Sequence, residues 1–131
     1  MTNLQYSRDY DNVYYPAMPV VDIVLVNPNS GEKSHSFTAM VDSGADGSII
    51  PVRMLEFSEL DEARKIRMVG VGGVSRIMDR YWVSIEIGEI MIWGIQAMAD
   101  KSNSEAIIGR DVLNQLVVTL NGLSETIEII V

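Results

Sequence analysis

No cysteine occurs in the 131 residues, which excludes disulfides, thiolate nucleophiles and zinc–sulfur sites. Histidine is nearly as scarce. The one present, His35, lies in KSHSF beside a turn and reads as a solvent-facing strand residue. Ser-His catalysis and histidine-rich metal centres therefore have little to build on, and neither a metal nor a cofactor is expected. Cations are few: 10 Lys and Arg stand against 18 Asp and Glu, for a net charge of −8. Phosphate binding needs clustered basic residues, so no nucleic acid partner is expected. No apolar run approaches the roughly 20 residues of a membrane span. The polar, tyrosine-rich start, MTNLQYSRDYDNVYYPAMP, lacks the basic and apolar stretches of a signal peptide. The expectation is a cytoplasmic chain without a membrane partner.

What is present is a hydrophobic fraction of 47% in a length that suits one domain. The 18 carboxylates are the main reactive stock. Residues 1–18 read as an N-terminal extension, loosely held over about the first 15, and residues 19–131 as the domain. PVVDIVLVN, Pro19 to Asn27, is rich in β-branched residues and reads as a strand. PNSGE follows as a turn and Lys33 to Val41 as the returning strand. Further strands are expected at Ser48–Val52, Arg64–Val69, Val74–Arg80 and AIIG, with two more in YWVSIEIGEIMIWGIQAMA meeting near Gly88–Glu89. RMLEFSEL reads as a short helix or turn and Asp111–Leu116 as a short helix. VVTLNGLSETIEIIV reads as a hairpin with Asn121-Gly122 as a tight turn. Many short strands with little helix predict a small closed or sandwiched all-β fold.

Three stretches stand out. In MVDSGADGSII, residues 40–50, Asp42 leaves one apolar strand on a loop of small residues that enters another. Asp42, Asp46 and Gly47 fall at positions 1, 5 and 6 of a calcium loop, but Gly44 and Arg53 occupy positions 3 and 12, and strands rather than helices flank it. The second stretch, GVGGVS, Gly70 to Ser75, lacks the third glycine and the following helix of a dinucleotide fingerprint. Locally it is a glycine-rich hairpin tip, which can also serve as a lid. The third, AIIGRDVLNQL, is a buried strand entering a helix. Taken singly, each signal is weak.

Their order carries more. MVDSGAD, VGVGGV and IIGRDVL follow the pattern of the retropepsin-type aspartic proteases, the single-domain family that includes retroviral proteases. The sequence resembles that family from about Val20 to Asn121. The resemblance implies a small closed β-barrel or sandwich of the acid-protease type, with a flap hairpin and one short C-terminal helix. It also implies an aspartic endopeptidase. Asp42 would be catalytic, with Ser43 and Gly44 supporting its loop and the Ser43 hydroxyl bonding across a dimer interface. Gly44, Ala45, Asp46, Gly70, Val71 and Gly72 would bind substrate, and Arg110 would pair with Asp46 from behind. Ile49, Val69, Val74 and Ile107 are apolar pocket candidates from their nearness to the motifs. The chain runs past TLNG with another strand, unlike the shortest retroviral enzymes.

Peptide hydrolysis needs an activated water and a proton donor for the leaving amine. Two carboxylates that share one proton supply both, yet this chain holds a single Asp-Ser-Gly. The second aspartate then has to come from a second molecule, so a homodimer acting on a peptide or protein substrate is expected. The alternatives are a catalytically silent relative that binds peptides or acts as a scaffold, and a generic small β domain with a sugar or ion site.

Overall fold

The structure, a computed structural model, describes residues 5–70, 72–102 and 105–131. After β1 (Gln5–Asp9), the strand β2 (Val20–Val26) opens the main sheet. Its alternate residues Val21, Ile23 and Leu25 are fully buried. It turns back through PNSGE into β3 (Phe37–Val41), which is shorter than the expected strand from Lys33: Lys33 makes only an isolated bridge to Val26. Next come β4 (Ile49–Pro51) and the one-turn helix α1 (Val52–Leu55).

β5 (Glu62–Val69) and β6 (Ser75–Ile87) form a long hairpin. The strands expected at Val74–Arg80 and from Tyr81 onward are one strand. Arg80, Tyr81 and Trp82 contain no breaker, and aromatic residues favour extension on a pleated surface. β7 (Ile90–Asp100) returns after the turn at Gly88–Glu89, as expected. β8 (Ala106–Ile108), α2 (Arg110–Leu113), β9 (Val117–Asn121) and β10 (Thr126–Ile130) complete the chain. Past α2 the chain tightens: Gln115 and Leu116 donate to carbonyls three residues back, Val112 and Leu113.

Seven strands hydrogen-bond in the order β2-β3-β8-β4-β7-β6-β5, and β2 also pairs with β6. That extra pairing closes six strands into a barrel and leaves β5 as the outer arm of the β5–β6 hairpin. The fold is thus the expected mostly-β closed barrel with little helix. Ile23, Leu25, Ile50, Val83, Ile85, Ile87, Ile90 and Ile108 fill it, each at most 1% exposed. Burying one such side chain contributes about 1.5–3 kcal/mol.

A second sheet, β1-β10-β9, packs below through Ile127 and Ile129. Gln5–Asp9 pair with Ile130–Thr126 over five residues, so this part of the segment expected to be loosely held is tied into a sheet, while residues 1–4 lie outside the described residues. Arg8 reaches the Asp22 carboxylate at 2.6 Å, and the Asp22 N–H donates to the Tyr6 hydroxyl at 2.9 Å. These contacts fasten β1 to the barrel wall. The terminal hairpin differs from expectation too. Asn121 pairs with Thr126, so the loop is the four residues Gly122–Glu125 rather than a tight Asn121-Gly122 turn. The Asn121 side chain accepts the Ser124 N–H at 3.1 Å, capping the loop from inside the strand.

Candidate active site

β3 and β8 run parallel, with Met40 opposite Ile107 and Val41 opposite Ile108. Both therefore deliver their following loops to the same end of the barrel. Asp42 leaves β3 with its N–H still donating to the Ile108 carbonyl at 3.0 Å. The chain then turns sharply. The Gly44 N–H donates to Asp42 Oδ1 at 2.9 Å, and the Ala45 N–H to the Asp42 carbonyl at 3.2 Å. Asp42, Ser43 and Gly44 are exposed in the single chain.

The loop is held from behind by the segment after β8. The Arg110 N–H donates to the Ala45 carbonyl at 2.9 Å, and its Nη1 to the Ser43 carbonyl at 2.7 Å. Nη2 pairs with Asp46 Oδ1, so the partner expected from the motifs is the one found. The Arg110 side chain is 41% exposed and that of Asp46 94%, because the pair sits on the outer side of the loop. Gly109 explains how the two segments come so close. A Cβ there would lie 2.7 Å from the Gly47 carbonyl carbon and oxygen and 2.9 Å from the Ala45 oxygen.

Two residues of this arrangement escaped the sequence reading, Ser48 and Asp111. Ser48 is fully buried. Its hydroxyl donates to Asp111 Oδ1 at 2.8 Å and its N–H to Oδ2 at 2.9 Å, while Ser48 Oγ accepts the Gly109 N–H at 3.1 Å. Asp111 Oδ1 also accepts the Val112 N–H at 2.9 Å. An acidic residue opening a helix was the available signal, but its partner lies 63 residues away.

Next to this loop lies a cavity of about 720 Å³. Asp46 and Gly47 from the loop, Ile66–Val69 from β5, Trp82 from β6 and Met98 from β7 are among the residues that line it. Among the expected substrate-binding residues, Asp46 lines it; Gly44, Ala45, Gly70 and Gly72 do not, nor does Asp42. Of the apolar candidates, Val69 lines it, whereas Ile49, Val74 and Ile107 do not. Ile49 and Ile107 face each other across the β4–β8 pairing instead.

The hairpin tip turns as its glycines suggest. The Gly70 N–H donates to the Val74 carbonyl at 2.8 Å, and Gly72 and Gly73 have φ of +86° and +79°. Val71 lies outside the described residues. Along the hairpin, Lys65 donates to Asp79 at 2.8 Å. This bond, with the lysine's charge, holds the Asp79 carboxyl below the ordinary carboxylate value and raises the Lys65 ammonium above its own.

Residues 32–115 match the family model described as "gag-polyprotein putative aspartyl protease". The chain is similar in structure to a retropepsin-like aspartic protease from Rickettsia conorii, with a TM-score of 0.61 at 12% identity, over 98% of this chain and 94% of that one. It also matches EIAV protease complexed with the inhibitor HBY-793, with a TM-score of 0.49 at 20% identity, over 75% of this chain and 86% of that one. No curated protein matches it.

Proposed function

Because the chain belongs to the retropepsin-like aspartic protease family, we propose that it is an aspartic endopeptidase whose active site is completed by a second copy of itself. The observation that carries this reading is Asp42: a single Asp-Ser-Gly, exposed, on a loop tied down along its length by Gly109, Arg110 and Asp111. One carboxylate activates the attacking water and the other protonates the leaving amine. Two such groups close together share one proton, so the rate should fall on both sides of an acidic optimum. A two-fold axis through the loop brings both copies of Asp42 together.

In this arrangement the Ser43 hydroxyl bonds across the axis and steadies the two loops. The backbone of Gly44 and Ala45, with Asp46, binds the substrate main chain. Gly70 and Gly72, at the hairpin tip, close over the peptide and exclude water.

The second sheet offers the dimer contact. β9 is one of its edge strands. Val117 and Leu120 on β9 are 58% and 53% exposed, and Val131, just beyond β10, is 56% exposed. An exposed apolar edge invites pairing unless something covers it. The test is titration of the protein with a statine-containing peptide that mimics the tetrahedral intermediate. One inhibitor bound per two chains, with loss of peptide cleavage, is the expected result. One inhibitor per chain would overturn the shared site.

A further inference from the structure

The loop from β1 to β2 is rich in aromatic side chains that the proposed reaction does not use, and it is pinned at its base. The Asp11 and Met18 backbones exchange two hydrogen bonds, at 2.8 and 3.1 Å, and the Tyr10 N–H donates to the Glu125 carbonyl at 2.8 Å. Inside the loop, Asp11 Oδ1 accepts the Val13 N–H at 3.0 Å. Between this loop and the β9–β10 loop lies a groove of about 510 Å³. Tyr10, Tyr14 and Tyr15 line it, with Pro16 beside them.

The three rings are held differently. Tyr10 packs against the core. The Tyr14 hydroxyl donates to the Glu105 carboxylate, a bond that pushes the phenol up to about 12. Tyr15 is fully exposed, as is Leu123 in the other loop. Two rings are thus fixed in advance, which limits the side-chain entropy lost when a partner covers them. The groove also holds unused polar groups. The hydroxyls of Tyr10 and Tyr15 and the Asn12 amide make no side-chain hydrogen bond among the described residues, and the Glu125 carboxylate has no partner there. Residues 9–32 and 111–131, which hold both loops, contain no Lys or Arg. The groove is therefore acidic as well as aromatic.

We propose that this groove binds a proline-rich segment of a protein partner, in the polyproline II conformation and with an arginine beside the prolines. Polyproline II has no internal hydrogen bonds, so its carbonyls take donors from outside, and the groove's unused groups are donors carried on or beside aromatic rings. Proline-rich segments dock in aromatic-lined grooves because they arrive already ordered. A β-strand partner would need a strand edge, and Asn12 to Ala17 lie outside any strand. A sugar also stacks on aromatic rings, but it would leave the Glu125 charge unanswered. An arginine fork answers it, since guanidinium and carboxylate pair bidentately.

The experiment measures binding, so it stands whether or not the protein hydrolyses peptides. Asp42→Asn protein, used so that no peptide is cut, is titrated with fluorescein-labelled decapeptides. The first repeats Pro-Pro-Leu and ends in Arg. The second has Ala for every Pro, and the third ends in Glu instead of Arg. The first should bind saturably below about 1 mM and roughly tenfold more tightly than either of the others. Tyr15→Ala, which removes a fully exposed ring, should weaken it about fivefold or more, and Tyr15→Phe, which keeps the ring, by about twofold at most. Glu125→Gln should shrink the preference for Arg over Glu to about threefold. Trp93→Ala removes another ring, 69% exposed on β7, and should change nothing. Five results would each overturn the proposal: no saturable binding, equal affinity for the Pro and Ala peptides, indifference to Tyr15→Ala, the same loss with Trp93→Ala, or an undiminished Arg preference in Glu125→Gln.

Discussion

The Asp111 carboxylate accepts both donors of Ser48, the hydroxyl at 2.8 Å and the backbone N–H at 2.9 Å, and so ties the end of the Asp42 loop to the start of α2. Because Ser48 is fully buried, these donors have no water to turn to. Asp111→Ala should therefore cost about 2–3 kcal/mol of stability, the range for stranding buried partners of a charged acceptor. Urea unfolding should show a lowered midpoint with an unchanged slope. A loss below about 0.5 kcal/mol, the scale of an ordinary surface substitution, would contradict the tie.

At the hairpin tip, Gly72 has φ of +86° and open space where a Cβ would stand. The obstacle to a side chain is the backbone alone. A β-branched residue in the left-handed region is strained by about 1–2 kcal/mol, and the tip can relieve this by changing its turn. Gly72→Val should keep the circular dichroism spectrum of the folded chain and lose turnover by roughly tenfold or more, as a misshapen lid would. Unchanged peptide cleavage by the folded variant would remove the tip from the mechanism.

The Lys65–Asp79 pair sets a pH window for the same hairpin. Lys65 lowers the Asp79 carboxyl below its ordinary 3.8. A depressed folded value means that the stabilisation is fully present above 3.8 and fades as pH falls through the lower folded value. Lys65 is raised above 10.5, so its contribution is complete below 10.5 and fades only as pH rises through the higher folded value. The pair should thus persist through mildly acidic conditions. Carbon-detected NMR titration should place the Asp79 midpoint below 3.8, and Lys65→Met should move it up. A midpoint at or above 3.8 with Lys65 present would contradict the pairing.

What could be read from the sequence was what neighbouring residues carry together. MVDSGAD, VGVGGV and IIGRDVL each announce a local shape, and their order indicated the closed β fold and the meeting of Asp46 with Arg110. The exposure of that pair could not be read in the same way, since "IIG" is buried while the guanidinium that follows points to the outer side of the loop. β1 was missed because its alternation is polar. What holds it is Asp22, 14 residues on from Arg8 and on another strand. Ser48 with Asp111 was missed for a related reason. That pair joins residues far apart in the chain, and nothing in the residues beside them signals it.

The central claim is that one active site uses Asp42 from each of two chains. A mixed dimer of unsubstituted and Asp42→Asn chains has one such carboxylate and cannot hold the acid and base roles together. Asn is close in shape to Asp, so the substituted chain should still fold and pair. After equal amounts are mixed above the dimer dissociation constant and subunit exchange is verified by labelled chains, peptide cleavage should fall to about half that of the unsubstituted protein alone, because half of its chains are held in inactive mixed dimers. Full retention of activity after verified exchange would contradict the shared site and point to a self-sufficient chain.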